Sequence, residues 1–328
     1  MAHVSRFQHP LAEPLEQGLS VVVPAYNSET SLPELAARLE AVLKTQTGPY
    51  ELILVNDGSR DRTWAVIQAL AARHGFVRGV NLMRNYGQHN ALLCGIRLAR
   101  YAITITMDDD LQHPPEEIPR LLATLQQGPA VVYGTPDKEQ HGFWRNLSSQ
   151  VTKLVLQSAM GAETARRVSA FRAFRTTVRE GFADAPGPFI AIDVLLTWGT
   201  NRFAWIPVRE DRRKFGRSTY TVRKLIVHAM NLMTGFSTLP LQVVSLLGFG
   251  CTVFGVLVLT YVLGRYLIHG GQVPGFSFLA STIAIFSGAQ LFALGIFGEY
   301  LGRVHARTME RPAYAIDELT ATRDEAAA

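Results

Sequence analysis

Ile105-Thr106-Met107-Asp108-Asp109-Asp110-Leu111-Gln112-His113-Pro114-Pro115-Glu116 decides how this chain is read. An apolar run, Ala102 to Met107, ends abruptly in three consecutive carboxylates, and two prolines and a helical pattern from Glu116 to Gln127 follow. A strand that empties into carboxylates concentrates negative charge at one rim of a sheet. Crowded carboxylates repel one another unless a cation or basic side chains sit against them. Oxygen-only ligands suit a hard cation such as Mg²⁺ or Mn²⁺, which keeps water and bridges to substrate phosphates. A solvated acidic turn explains three aspartates equally well, so the neighbouring segments decide.

Working outward, Leu19 to Tyr26 reads as a buried strand closed by Pro24. Ser31-Leu32-Pro33-Glu34 reads as a capping box starting a helix to about Thr45. Tyr50 to Val55 is a second strand ending in Asn56-Asp57-Gly58-Ser59, and Asp61 caps a helix through about His74. Val77 to Leu82 is a third strand, followed by Arg84-Asn85-Tyr86-Gly87-Gln88 and a helix to about Arg100. Ala102 to Met107 is the fourth strand, Ala130 to Gly134 a fifth, and Ile206-Pro207-Val208 a later one. Strand–helix alternation of this kind predicts an α/β fold with a mainly parallel sheet covered on both faces. Tyr26-Asn27, Asp57-Gly58-Ser59, Arg84 and Asp108 to Asp110 each fall just after a strand. In an open α/β sheet those strand ends share one rim, where ligands bind. Any one cluster could be turn chemistry. Four on one rim point to a phosphate-bearing ligand that wants both Arg84 and a divalent cation. A Walker-type loop is missing and no G-x-G-x-x-G follows the first strand, which disfavours a P-loop NTPase or an NAD-dependent dehydrogenase.

The 328 residues carry a formal charge of +5, unevenly placed. Between Asn201 and Met230 eight Lys or Arg face two acidic residues, just before a long apolar run. Anionic lipid headgroups are therefore a better partner than nucleic acid, for which no aromatic-interleaved basic motif is seen. Cys94 and Cys251 give neither a disulfide framework nor metal-ligand spacing, and a reducing compartment fits them. Leu241 to Gly264 and Phe276 to Gly298 contain no charged residue, and each exceeds the ~20 residues that span hydrocarbon. Arg265 is the single Arg of the link between them, whereas Arg209 to Lys224 precede and Arg303, Arg307 and Arg311 follow. Two spans with both termini in the cytoplasm are expected, in the inner membrane. The polar N-terminus lacks a signal-peptide core. Glu299 and Arg303 are spaced to pair. Gly248, Gly250, Gly255, Gly288 and Gly295 leave faces on which the spans could form a homo-oligomer. The segment Asp137 to Met160 reads as an amphipathic helix, either core-packing or lying on the membrane.

Val21-Val22-Val23-Pro24-Ala25-Tyr26-Asn27, Val55-Asn56-Asp57-Gly58-Ser59, Arg84-Asn85-Tyr86-Gly87-Gln88 and the Asp108 to Glu116 stretch resemble the family 2 glycosyltransferases. Phe215-Gly216-Arg217-Ser218 and Gly298-Glu299-Tyr300-Leu301-Gly302-Arg303 extend the likeness toward the polyprenyl-phosphate branch. That branch includes dolichol-phosphate mannose synthase and the bacterial undecaprenyl-phosphate sugar transferases, and the likeness extends to those for formamido-arabinose. The resemblance implies a GT-A domain taking a nucleotide-diphosphate sugar as donor and a polyprenyl phosphate as acceptor. It implies that Pro24, Tyr26, Asn27 and Asp57, with the Gly58-Ser59 turn and Arg84, bind the donor. By the same resemblance Asp108 lies near ribose and metal, and Asp110 with Gln112 coordinates Mg²⁺ or Mn²⁺. Arg172, Arg213 and Ser218 match positions that grip phosphate, and Asp110 and Arg213 are the expected catalytic pair. Expected divisions are a tail over 1–18, the GT-A domain over 19–205, a basic membrane-interface segment over 206–238, two spans within 239–301 and a cytoplasmic tail over 302–328.

A transferase to a sugar hydroxyl needs a general base, often a carboxylate. A polyprenyl phosphate is already ionised near neutral pH. The acidic-dipeptide base and Gln-x-x-Arg-Trp motifs of processive synthases are missing after Asp110, which suits metal-assisted, inverting displacement by lipid phosphate. Several positions depart from the family pattern: Ser28 stands where Glu is usual, Asp109 where Ala is usual, Arg166 where Asp is usual, and Arg217 and Thr219 flank Ser218. Asp193, in an otherwise apolar run, is either a buried, paired carboxylate or an acceptor-side base. The rival readings are a transferase to a hydroxyl acceptor with Asp193 as base, a non-catalytic membrane scaffold, and a transporter, for which spans without ionisable residues make a poor pathway.

Overall fold

Val21-Val22-Val23 and Leu52-Ile53-Leu54-Val55 are apolar without alternation because both faces of their sheet are covered. Successive residues alternate between two cores. Val21, Val23, Leu52 and Leu54 join one with Leu35, Leu39, Ile67, Leu121 and Phe171, whereas Val22, Ile53 and Val55 join the other with Leu92, Ile96, Tyr133 and Phe174. The structure is a computed structural model describing residues 15–136, 167–185, 190–211, 239–269, 275–309 and 311–320. It has two compact units: Met1–Ile226 with Glu310–Ala328, and Val227–Met309.

In the first unit, strands β1 (Leu15–Ala25), β2 (Tyr50–Asn56), β3 (Val77–Leu82) and β4 (Tyr101–Thr106) pair in parallel, in the order β4-β1-β2-β3. Helices α1 (Leu32–Leu43), α2 (Thr63–Arg73), α3 (Gln88–Leu98) and α4 (Ile118–Gln126) connect or flank them. α1, α2 and α4 cover one face, and α3 with helix Ile192–Gly199 covers the other. α3 can approach closely because Gly95 has no side chain: a Cβ there would lie 2.3 Å from Val22 Cγ1.

The sheet is wider and more mixed than the alternation predicts. It has eight strands in the order β7-β5-β6-β4-β1-β2-β3-β8. β5 (Val131–Pro136) and β7 (Phe203–Val208) are parallel, β6 (Arg172–Arg175) runs antiparallel between β4 and β5, and β8 (Ile316–Leu319) is antiparallel to β3. Three expected boundaries move accordingly. β1 begins at Leu15 rather than after residue 18, β7 crosses the division drawn at 205, and residues 316–319 of the C-terminal tail form an edge of the catalytic sheet. The expected capping box does not form. Ser31 already has helical φ and ψ, and its hydroxyl donates to the Ser28 carbonyl at 3.3 Å, which also accepts the Leu32 N–H. Asp61 lies one residue before the N-cap, Arg62, and accepts the Thr63 N–H at 3.0 Å from there.

The second unit contains helices Leu239–His269 and Phe276–Thr308. Among the described residues one stretch, Leu241–Tyr261, is long and apolar enough to cross a membrane, with mean hydropathy 2.3 and none of it buried. The other expected span, Phe276 to Gly298, lies in the second helix. Arg303 pairs with Glu299 at 2.8 Å. The expected amphipathic helix, Arg213 and Ser218 lie outside the described residues.

Candidate active site

The carboxyl ends of β1, β2 and β4 and the loop after β3 meet around a cleft of about 290 Å³, lined by Tyr26, Asp57, Asn85, Gln88 and Asp108 to Asp110 among others. β1 ends in Pro24-Ala25, which form its floor, and Asn27 turns the chain away with a left-handed φ of 55°. A non-glycine residue in that region is uncommon, and asparagine tolerates it best. Ser59 Oγ accepts the Asn27 N–H at 3.0 Å, and Asn27 Oδ1 accepts the Arg60 N–H at 2.9 Å, so the turns after β1 and β2 hold each other.

Asp57 is turned toward the neighbouring loop, its carboxylate accepting the Tyr86 N–H at 2.7 Å and the Gly87 N–H at 2.9 Å. Burial pushes its pKa up, and these two hydrogen bonds oppose the shift without cancelling it. Gly58 has φ 62°, and a Cβ there would meet Arg84 C and Asn85 N at 2.5 Å. This position needs glycine twice, for its backbone and for the close approach of the β3 loop. Arg84 itself lies over the Tyr86 ring, 4.5 Å from its centroid.

Beyond β4, Gln88 Nε2 donates to Asp108 Oδ1 at 2.6 Å, and Asp110 Oδ1 accepts the Gln112 N–H at 3.1 Å across Leu111. Leu111 is buried with φ 60°, a strained conformation of the kind that collects at functional sites. Gln112 Nε2 lies 3.5 Å from Glu210 Oε1, and the Gln112 carbonyl accepts the Asp211 N–H at 2.8 Å. Among the described residues no three His, Cys, Asp or Glu side chains converge to hold a metal by themselves. His113 is stacked on Phe171, and both its ring nitrogens are buried without a hydrogen-bond partner.

Two departures from the family pattern prove to be neighbours. Ser28 Oγ donates to Asp109 Oδ2, and the Tyr26 N–H donates to Ser28 Oγ at 3.1 Å. Asp109 is therefore a partly buried carboxylate with its own donor, although burial still raises its pKa.

Arg172 stands beside Thr106, the last residue of β4, but does not line the cleft. It is 2% exposed, its Nε donates to Thr106 Oγ1 at 3.0 Å, and its Nη1 is paired with Asp193, which also accepts from the Tyr133 hydroxyl at 3.1 Å. Arg172 is thus held in an ion pair with Asp193, the arrangement that the paired-carboxylate reading of Asp193 expects. Sequence reasoning missed Asn85, Gln88 and Asp109 as lining residues and Glu210 as a partner of Gln112. Gln88 lay inside a quoted motif, whereas nothing in the sequence marks Glu210.

A mostly parallel, mixed sheet with a carboxylate-rimmed cleft at its strand ends is of the GT-A type. Residues 20–184 match the model of glycosyl transferase family 2. Undecaprenyl-phosphate 4-deoxy-4-formamido-L-arabinose transferases of Pseudomonas paraeruginosa and Shewanella sediminis are each 36% identical to the chain over 304 residues, which is 92% of this chain and 90% and 92% of theirs. The protein of that name from Serratia proteamaculans is 34% identical over 310 residues, 94% of this chain and 95% of its own length. The chain belongs to glycosyl transferase family 2 and is a glycosyltransferase.

Proposed function

We propose that the chain moves one sugar from a nucleotide-diphosphate sugar to a polyprenyl phosphate, undecaprenyl phosphate being the acceptor in its relatives' names. The observation that carries this reading is likeness over 92% of the chain to transferases named for that lipid. Pro24, Tyr26, Asn27 and Asp57 would hold the base and ribose, with the Gly58-Ser59 turn shaping that side and Arg84 reaching the diphosphate. Asp108, Asp110 and Gln112 would hold Mg²⁺ or Mn²⁺. The donor set fits such an ion, which typically takes one or two carboxylates, keeps waters and completes its shell with substrate phosphate. The orphaned nitrogens of His113 add uncommitted polar atoms beside these residues. When bound, the cation would neutralise charge on the leaving diphosphate as a Lewis acid.

The acceptor oxygen is already ionised, so the chain need not supply a base. A lipid phosphate oxygen bonds to the anomeric carbon while the bond to the nucleoside diphosphate breaks on the opposite face, inverting configuration. Asp193 is engaged by Arg172 and Tyr133 and is removed from this step. Arg213 and Ser218 would hold the lipid phosphate. Leu241–Tyr261 and the apolar part of helix Phe276–Thr308 would cross the inner membrane, with both termini and the catalytic unit cytoplasmic. Around Gly248, Gly250, Gly288 and Gly295 there is open space for a second copy.

Undecaprenyl phosphate and undecaprenol, offered in parallel with the same donor, test the acceptor. Product from the phosphate alone is expected; transfer to the alcohol would move the chain among hydroxyl-acceptor enzymes.

A further inference from the structure

We infer that Asp317, in the strand that follows the helical unit, is a positioning residue for the donor side of the cleft, acting through a ladder of amides that crosses the sheet edge. Asp317 Oδ2 accepts from Asn81 Nδ2 at 3.1 Å; Asn81 Oδ1 accepts from Asn56 Nδ2 at 2.7 Å; Asn56 Oδ1 accepts from the Ser59 N–H at 3.3 Å. Ser59 Oγ then accepts the Asn27 N–H at 3.0 Å. Three strands, β8, β3 and β2, thus connect the C-terminal segment to the two turns that shape the cleft.

The ladder has a direction, required at its buried end by the Ser59 N–H and fixed at its exposed end by Asp317. An asparagine amide has a donor end and an acceptor end and can face either way, whereas a carboxylate only accepts. Asp317 turns the NH₂ of Asn81 outward, which turns its oxygen toward Asn56, which in turn aims the Asn56 oxygen at the Ser59 N–H. Reversed, Asn56 would point a donor at a donor. Asn56 is 3% exposed, so water is a poor substitute, and a buried group left unpaired bears its full desolvation cost. One of the turns being held is a costly one: Asn27 has a positive φ of 55°, whereas Gly58 takes its φ of 62° without strain.

Asp317 does not line the cleft, and β8 does not depend on it. Trp64 Nε1 donates to Glu318 Oε2 at 3.0 Å, and Gly79 and Thr320 are joined by bonds of 2.8 and 3.0 Å. The strand therefore stays in place when the direction of the ladder is lost. That the ladder serves a nucleotide rests on the function proposed above; that it orders the Asp57–Arg60 turn does not.

The experiment uses full-length protein in detergent and three variants: Asp317→Asn, Asn81→Asp, and the two together. Asp317→Asn keeps the shape and removes the fixed direction. The double variant restores it, because an aspartate at 81 can only accept, from Asn56 on one side and from the new amide at 317 on the other. Two readouts are taken. One is amide hydrogen exchange across residues 57–60 without ligand. The other is the dissociation constant of whichever of UDP, GDP and dTDP the wild type binds most tightly with Mg²⁺. Asp317→Asn is expected to speed exchange at Ser59 and weaken nucleotide binding about threefold to tenfold, as loss of one well-placed hydrogen bond would. The double variant should return both to within about twofold of wild type. Unchanged exchange in Asp317→Asn, or a double variant no better than that single, overturns the inference. Wild type that binds none of the nucleotides, while exchange follows the predicted pattern, would sink the proposed function and leave the ladder standing.

Discussion

Ser28 and Asp109 show how one residue's environment follows from another far along the chain. Alone, each looks like a loss: a serine where a carboxylate is usual, and an extra acid in a crowded triplet. Joined, they form a partly buried donor–acceptor pair beside the proposed cation loop. Ser28→Ala would leave Asp109 without that donor and should cost about 1–3 kcal/mol. Ser28→Ala with Asp109→Ala should cost less than the two single changes summed, as urea unfolding would read; additive effects would mean no coupling. Arg172 and Asp193 make the same point more strongly, because breaking a buried pair by removing one partner costs about 3–5 kcal/mol. Arg172→Ala should therefore lower the melting temperature markedly. Asp193→Asn should lower it too, while turnover per folded molecule stays within a few-fold. A fully stable Asp193→Asn enzyme without turnover would return Asp193 to the role of base. Neither pairing was legible in the sequence, since residues 21 apart or 81 apart meet only once the sheet is built. The individual rim residues were legible, because Asp57, Asp108 and Asp110 each follow an apolar strand.

At the scale of elements, the strands with continuous apolar runs could be read almost to the residue, Tyr50–Asn56 among them. β6 and β8 could not. Arg172-Ala173-Phe174-Arg175 has arginine at both ends and reads as a binding motif, and Ile316-Asp317-Glu318-Leu319 falls within the expected cytoplasmic tail. Both are strands only because a long-range partner, β4 with β5 or β3, offers backbone to pair with. The link between α1 and the turn after the carboxylate triplet is also tertiary: Arg38 donates to both Glu116 oxygens, at 3.0 and 2.6 Å. That hydrogen bond holds the Glu116 carboxyl below its usual range. A depressed carboxylate pKa gives stability that is present above the unfolded value of about 4.3 and is lost as pH falls through the folded value. Glu116→Gln should thus lower stability at neutral pH and have little effect well below pH 4. The Glu116 side chain is half exposed, so the difference should stay under about 1 kcal/mol. Parallel melting curves of wild type and variant, unchanged in spacing from pH 3 to 7, would contradict this.

At the scale of the molecule, the catalytic unit is discontinuous. It is built from residues before Ile226 and closed by residues after Glu310, with the helical unit between. Removing residues 310–328 takes away no proposed ligand of donor or cation. It does expose the edge of β3 and remove the partners of Trp64, Asn81 and Gly79. Such a truncation should lower the stability of the catalytic unit and weaken nucleotide binding, as thermal unfolding and calorimetry would report. A truncated protein as stable and as tight-binding as the full chain would make the returning strand ornamental. The central claim, however, is the reaction, and one measurement reaches it most directly. Full-length protein is incubated with undecaprenyl phosphate, Mg²⁺ or Mn²⁺ and a panel of UDP-, GDP- and dTDP-sugars, with Asp110→Ala alongside, and the lipids are weighed by mass spectrometry. The account predicts a lipid heavier by one sugar, formed only with metal and reduced at least about a hundredfold by Asp110→Ala. No consumption of any donor, or equal product from Asp110→Ala without metal, would contradict it.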